Sequence, residues 1–148
     1  MFYAIYLLGI VLFFLNGIGF SRCTDFVDNI TLTYVLFPSI LMLFCTRSWK
    51  DFGRAMLFAF GKRDLSYEQY KNSLQTIKMV LITLLLSGGI CFSISIVNSM
   101  RSLDWIQEDS FGWLILDFSV AMLSFLYPLM LTILLLPVYH ILKKDIQA

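Results

Sequence analysis

Long apolar stretches that contain almost no charge constrain this chain more than any other feature. The hydrocarbon layer of a bilayer is about 30 Å thick, and a helix needs about 20 residues to cross it. Hydrophobic residues make up 59% of the 148 residues, and most lie in uninterrupted runs that a soluble core does not need. The runs cover residues 2–20, 30–46, 79–97 and 113–141. We therefore predict a single-domain, all-α integral membrane protein with four transmembrane helices.

The runs are predicted to be helices and not strands of a membrane barrel. An unpaired backbone group in hydrocarbon is costly, so a spanning segment must bond internally or belong to a closed barrel. Barrel strands alternate polar and apolar residues. The run MVLITLLL at residues 79–86 is instead apolar at both odd and even positions. Helices therefore fit these runs better than strands.

Positive charge predicts how the chain is oriented. Basic residues concentrate in the segment 47–78, with two more, Lys143 and Lys144, near the C-terminus. The segments 21–29 and 98–112 each hold one. Because Lys and Arg stay on the cytoplasmic side, both termini and the 47–78 loop are predicted to be cytoplasmic. The basic residues of that loop are Arg47, Lys50, Arg54, Lys62, Arg63, Lys71 and Lys78.

Composition excludes several classes of function. The net charge of +1 argues against nucleic acid binding, and topology alone accounts for the basic loop. The three cysteines, Cys23, Cys45 and Cys91, have no metal-ligand spacing. The sequence contains no nucleophile–base pair and no phosphate-binding glycine loop. We therefore expect neither an enzyme, nor a metal site, nor a bound cofactor.

The cytoplasmic loop is predicted to begin with an amphipathic helix at the membrane surface. Its apolar stripe recurs at helical spacing and would lie in the headgroup region, with Gly61 ending the helix. This segment either only connects two spans or docks a cytoplasmic partner. The stripe consists of Trp49, Phe52, Met56 and Phe60. The docking residues would be Trp49, Lys50, Asp51 and Arg54.

A second helix is predicted to start inside the same loop and to continue through the third span. Ser66 followed by Gln69 matches a capping box, in which the glutamine side chain reaches back to the backbone of the cap residue. No glycine or proline follows before Gly88. We therefore expect one helix from about Tyr67 to Met100, about 50 Å long.

Three groups of short motifs carry a family resemblance. The first is Phe26-Val27-Asp28 followed, after a span, by residues 49–55 (WKDFGRA). The second is residues 95–104 (SIVNSMRSLD). The third is the last span, with Leu126-Tyr127 and Leu136-Pro137 before a basic end. Their order resembles that of the MotA/TolQ/ExbB proton-channel family and is closest to its MotA branch. The large cytoplasmic domain of that branch is reduced here to the 47–78 loop, so a standard flagellar rotor contact is not expected.

The resemblance implies an assembly. Five copies would surround a pore that is occupied by two copies of a single-span MotB/ExbD/TolR-like partner, in the lipid of a bacterial inner membrane. The third and fourth spans would line this pore, and the flow of protons or Na⁺ would drive rotation. The residues placed along the ion path are Asp117, Ser93, Ser95, Ser119, Ser124 and Thr132.

Each of these residues also has a purely structural interpretation. Asp117 would either sit at the outer mouth of a cation path or lie at the membrane interface, facing the outer water. The hydroxyls would either line a water path or permit close helix contact while bonding to their own helix. Pro128 and Pro137 would kink the last span and are the candidate residues for conformational coupling, and at Pro137 the kink would either transmit movement to the cytoplasm or be a static bend.

Two further functions remain open on the sequence. The chain could be a non-conducting scaffold or accessory subunit, because the third-span motif of the family is altered around residues 91–95. It could also form a pore alone, with Asp117 contributing to an acidic ring.

Overall fold

The computed structural model describes residues 2–18, 28–61, 66–101 and 110–147. Within these ranges all regular structure is α-helical, which confirms the predicted class. The predicted segments that fall on residues 19–27 and 102–109 lie outside the described part. They include Phe26, Val27 and most of both predicted outer loops. The helices are α1 (Phe2–Ile18), α2 (Asn29–Cys45), α3 (Trp49–Ala59), α4 (Tyr67–Arg101) and α5 (Ser110–Gln147).

The two longest helices, α4 and α5, form an antiparallel hairpin that is the centre of the molecule. Gly88 of α4 lies against Pro128 of α5, and one turn further along α4, Phe92 contacts Phe125. Helix α2 packs on α4 and α5, α3 packs across both, and α1 contacts mainly α5. The buried core follows the hairpin towards the end where α3 crosses, through Ile77, Leu84, Val138 and Leu142.

Two of the described helices are long and apolar enough to cross a membrane. They are Tyr67–Arg101 and the segment Asp117–Asp145 of α5. A third span results if α2 and α3 are counted together as one broken span, although they are bent by 112°. Helix α2 by itself has 17 residues and extends about 25 Å, which is shorter than the hydrocarbon layer. The structure therefore supports a membrane protein with two or three candidate spans.

The predicted start of α4 is confirmed. The backbone N–H of Ser66 donates to the side-chain oxygen of Gln69 at 3.2 Å, as a capping box requires. The helix then continues without interruption from Tyr67 to Arg101. Gly61 also ends the preceding segment as expected, with φ of 108° and its N–H donating to the Phe58 carbonyl at 3.0 Å. Local sequence therefore determines both ends of this connection.

The predicted amphipathic helix is present as α3, and its apolar stripe divides between the bundle and the exposed surface. Phe52 and Met56 do pack against the core, whereas Trp49 and Phe60 are exposed. The fully buried positions are Ala55, Phe58 and Ala59. The physical reason is that α3 lies across α4 and α5, where the ring of Phe58 meets Tyr70 edge-on, with ring centres 4.8 Å apart. The helix is thus part of the bundle and does not only rest on a membrane surface.

Candidate functional site

The hydroxyls predicted on the third span do not face a common cavity within one copy. Ser93 is exposed, and its hydroxyl donates to the Gly89 carbonyl of its own helix at 2.9 Å. Ser95 is half-buried, and its backbone carbonyl accepts the Ser99 hydroxyl at 2.9 Å. Both arrangements are the common back-bond of serine in an apolar helix. Of the two, only Ser93 is therefore exposed at the surface of the hairpin.

In the N-terminal part of α5, two predicted residues lie at or near the surface. Ser119 is exposed and donates to the Ile115 carbonyl at 2.7 Å. Asp117 is half-buried, and among the described residues its carboxylate has no hydrogen bond and no ion pair. An intramembrane carboxylate needs water or a partner. Any partner of Asp117 inside the membrane must therefore come from outside the described part of this chain.

The two remaining hydroxyls lie inside the protein. Ser124 is 1% exposed, and its hydroxyl donates to the Ala121 carbonyl at 2.6 Å. The hydroxyl of Thr132 is also buried, and no partner for it occurs among the described residues. The predicted ion-path residues thus fall into a surface group and an enclosed group. The surface group consists of the exposed Ser93 and Ser119 and the half-buried Ser95 and Asp117, and the enclosed group consists of Ser124 and Thr132.

Ser124 is enclosed because Gly88 and Pro128 bring α4 and α5 into close contact. A Cβ at Gly88 would overlap the Pro128 ring and would lie 3.0 Å from the Ser124 carbonyl oxygen. A hydrogen on the Gly88 Cα therefore points towards this carbonyl. Pro128 has no N–H, so the same carbonyl has lost its usual donor within α5. A Cα–H group is a weak but real replacement at helix–helix contacts.

The other prolines lie beside side-chain hydroxyls of neighbouring helices. Pro38 of α2 frees the Tyr34 carbonyl, and the buried hydroxyl of Ser87 lies 2.9 Å from the next carbonyl, that of Val35. The Ser87 hydroxyl also lies 3.0 Å from the Leu84 carbonyl of its own helix. Neighbouring helices commonly satisfy backbone groups that a proline releases in a membrane segment. Ser87 thereby ties α4 to the bend of α2.

Pro137, the second predicted coupling residue, has its partners on α1. It releases the carbonyl of Ile133, four residues earlier. The Tyr6 hydroxyl donates to this carbonyl at 2.8 Å, and the Tyr3 hydroxyl donates to the adjacent Leu134 carbonyl at 3.1 Å. Sequence analysis did not identify either tyrosine. Two hydroxyls inside an otherwise apolar run were the only available signal.

Two motif segments that are far apart in sequence meet at the start of α2. The backbone N–H of Asp28 donates to the Tyr127 hydroxyl at 2.8 Å. The Asp28 carboxylate caps α2 by accepting from the Ile30 N–H at 3.1 Å and from the Thr31 hydroxyl. Asp28 and Tyr127 therefore have a structural role, which is to join α2 to α5.

The predicted docking residues occupy the first turns of α3. Asp51 and Arg54 form an ion pair at 3.0 Å, and Lys50 is exposed. Trp49 is 41% exposed and contacts Phe44 edge-on. The chain reverses direction just before this helix, where Arg47 has a φ of 53°.

A polar cleft of about 260 Å³ opens between this reversal and α4. Of the predicted docking residues, Asp51 lines the cleft. Its walls are formed by Thr46, Ser48, Asp51, Asn72, Gln75, Thr76 and Met79.

Known proteins offer no guide to these features. Comparisons with protein families, with curated proteins and with solved structures found no match to this chain. Within the described residues, no group of three or more His, Cys, Asp or Glu side chains could hold a metal ion. The arrangement of polar groups around the α4–α5 hairpin is therefore the main basis for a functional proposal.

Proposed function

We propose that this chain is a four-span subunit of an ion-driven membrane motor of the MotA/TolQ/ExbB type. Five copies would surround two copies of a single-span partner in a bacterial inner membrane, with both termini in the cytoplasm. Protons or Na⁺ passing between the partner and this subunit would drive rotation and mechanical work. The proposal takes α1 and α2 as the first two spans, and α4 and α5 as the third and fourth.

The observation that carries this proposal is the position of Asp117. Its carboxylate lies in the N-terminal part of α5, half-buried and unpaired among the described residues, and the proposed topology puts this part of the hairpin on the outer side of the membrane. Ser119 and Ser93 are exposed on the same hairpin. A carboxylate in such a place requires water or a second molecule. An interface with further copies or with a partner helix would supply both, and would enclose the surface group of polar residues.

The arrangement of the helix ends supports the proposed topology. Tyr3, near the start of α1, contacts Phe60, which directly follows α3, with ring centres 5.2 Å apart. Its hydroxyl also reaches the Leu134 carbonyl, in the C-terminal half of α5. The N-terminal end of α1, the amphipathic α3 and the C-terminal half of α5 therefore lie near one another. Cytoplasmic termini on the same side as the basic loop fit this arrangement.

The apolar surface of the hairpin is consistent with contacts to lipid or to other subunits. Large apolar side chains remain exposed along both helices, among them Leu86, Ile90 and Val97 of α4 and Phe118, Phe125 and Ile133 of α5. A membrane helix needs no water-soluble face. The same surfaces can therefore serve lipid or a neighbouring copy.

A non-conducting scaffold is the second candidate, and a specific observation favours it. The hydroxyls of Ser93 and Ser119 donate to carbonyls of their own helices, and Ser124 is enclosed in the hairpin. A proton path needs a spatially continuous chain of hydroxyls or water molecules. The predicted ion-path hydroxyls of one copy do not form such a chain. If oligomerisation does not complete the chain of hydroxyls, the fold would serve assembly only.

One reconstitution distinguishes the candidates. The purified chain is placed in liposomes alone, and in parallel with a single-span MotB/ExbD/TolR-like protein, and proton uptake is followed with an internal pH-sensitive dye. Uptake that requires the partner and falls in Asp117→Ala supports the motor. Uptake by the chain alone indicates a self-contained pore. No uptake in either preparation, from a complex of confirmed subunit composition, rejects conduction and leaves the scaffold.

A further inference from the structure

The carbonyl released by Pro137 of α5 takes its hydrogen bond from helix α1. Pro137 cannot donate to the Ile133 carbonyl, and its ring also crowds that carbonyl. In an apolar environment a released carbonyl is costly unless another group donates to it. The donor here is the Tyr6 hydroxyl of α1, at 2.8 Å. The Tyr3 hydroxyl adds a bond to the neighbouring Leu134 carbonyl at 3.1 Å.

Among the side chains of α1 that the structure describes, the two tyrosines make the principal contacts with the rest of the protein. Tyr3 is buried, stacks on Tyr6 and meets Phe60 edge-on. Tyr6 and Leu7 are partly buried against the same core. Of the other large side chains described in this helix, Ile10 is partly buried, whereas Ile5, Leu8, Val11 and Leu12 are about half exposed or more. The contacts that hold α1 in place are therefore nearly the same as those that serve the Pro137 bend.

The other two prolines of the chain differ in this respect. The carbonyl released by Pro128 faces Gly88, and beside Pro38 the Ser87 hydroxyl bonds to the Val35 carbonyl, the neighbour of the released one. Both partners belong to α4, which is fixed by the hairpin itself. Of the three prolines, Pro137 is the one whose released carbonyl is served from α1, which among its described side chains contributes only Tyr3 to the buried core.

We propose that α1 is a clamp that sets the bend of α5 at Pro137. With Tyr6 and Tyr3 bonded, the last part of α5 is held in one orientation. When α1 moves away, the Ile133 carbonyl loses its donor and the segment after Pro137 becomes free to swing. Tyr3 and Tyr6 are thus positioning residues for Pro137. The clamp does not require ion conduction, so its test is independent of the test of the proposed motor function.

The test measures the geometry of α5 directly. Spin labels are attached at positions 122 and 144, both exposed and on opposite sides of Pro137, after replacement of the three native cysteines. Labelled protein is diluted with unlabelled protein so that only distances within one copy are read. We expect Tyr6→Phe, which removes only the hydroxyl, to broaden the distance distribution at least twofold. The matched control is Tyr34→Phe, because Tyr34 is 65% exposed on α2.

The same substitutions made in a Pro137→Ala variant test whether their effect depends on the proline. In Pro137→Ala an amide N–H returns at position 137 and can serve the Ile133 carbonyl within α5. Tyr6→Phe should then have no effect on the distribution. Tyr3→Phe should behave like Tyr6→Phe in the native background, with a smaller change. An unchanged distribution in both tyrosine variants would overturn the clamp, and so would equal broadening with and without Pro137.

Discussion

The α4–α5 hairpin and helix α1 are held in the protein by different kinds of contact. The hairpin is joined through backbone shape, since Gly88 lets α4 approach so closely that no larger residue fits against Pro128. Helix α1 is joined through two side-chain hydroxyls that reach carbonyls of α5. A contact made by shape cannot open without unfolding, whereas a contact made by two hydrogen bonds can. The comparison teaches that the rigid and the movable parts of a membrane bundle can both be built around prolines.

The largest effect on stability is expected when Gly88 is replaced by a larger residue. Gly88→Leu would push a side chain into Pro128 and the Ser124 carbonyl, and overpacking of this kind costs about 3 kcal/mol. We expect a large loss of the folded state, measured by circular dichroism during denaturation in detergent. Gly89→Leu is the matched control, because a Cβ at Gly89 meets no atom within 4 Å. Equal losses in the two variants would mean that the close contact does not hold the hairpin.

Ser87 tests whether the hairpin also holds α2. Ser87→Ala removes the hydroxyl beside the Val35 carbonyl and should cost about 1 kcal/mol, the usual net value of such a bond. The same denaturation measurement applies. Ser93→Ala is the control, since the Ser93 hydroxyl bonds only within its own helix and is exposed, and we expect a change below about 0.5 kcal/mol. If both substitutions cost the same, the link between α4 and α2 is not specific.

Removing both tyrosine hydroxyls of α1 should loosen α1 while leaving the α4–α5 hairpin intact. In the double variant Tyr3→Phe with Tyr6→Phe, amide hydrogen exchange in residues 3–12 should accelerate about fivefold or more, because local opening of α1 becomes easier. Exchange in the centre of α4 and α5 should stay within twofold of the native rate, a factor of about 2 being roughly 0.4 kcal/mol. Acceleration of both regions together would show that α1 and the hairpin open as one unit.

Asp117→Ala should have the smallest effect on stability. The carboxylate has no partner among the described residues, so we expect a change within about 0.5 kcal/mol. Ion flux through the assembled complex should instead be strongly reduced, as measured in the liposomes above. Undiminished flux in a complex of normal composition would remove Asp117 from the proposed ion path.

Local sequence was sufficient for several elements. The Ser66–Gln69 capping box predicted where α4 begins. The predicted end at Met100 lies one residue before the observed end at Arg101. Gly61 predicted the end of the segment after α3. These features depend on neighbours within a few residues, so a linear sequence contains all the necessary information.

Other features could not be predicted from the sequence. The stripe on α3 was assigned from spacing alone, and the buried Phe58 was missed because it faces Tyr70 of another helix. The six polar residues of the predicted ion path were grouped because they lie on two spans. The structure separates the exposed Ser119 from the enclosed Ser124, since burial depends on which face of α5 meets Gly88.

The sequence by itself determined that this protein is helical and apolar enough for a membrane, because hydrophobic run length and capping chemistry are local properties. Only the tertiary structure decided which group lies at each proline: Gly88 against the carbonyl released by Pro128, Ser87 beside the bend at Pro38, and Tyr6 with Tyr3 at Pro137. A proline within a helical sequence indicates that the carbonyl four residues earlier has lost its helical donor. The identity of its new donor depends on helices brought together from distant parts of the chain.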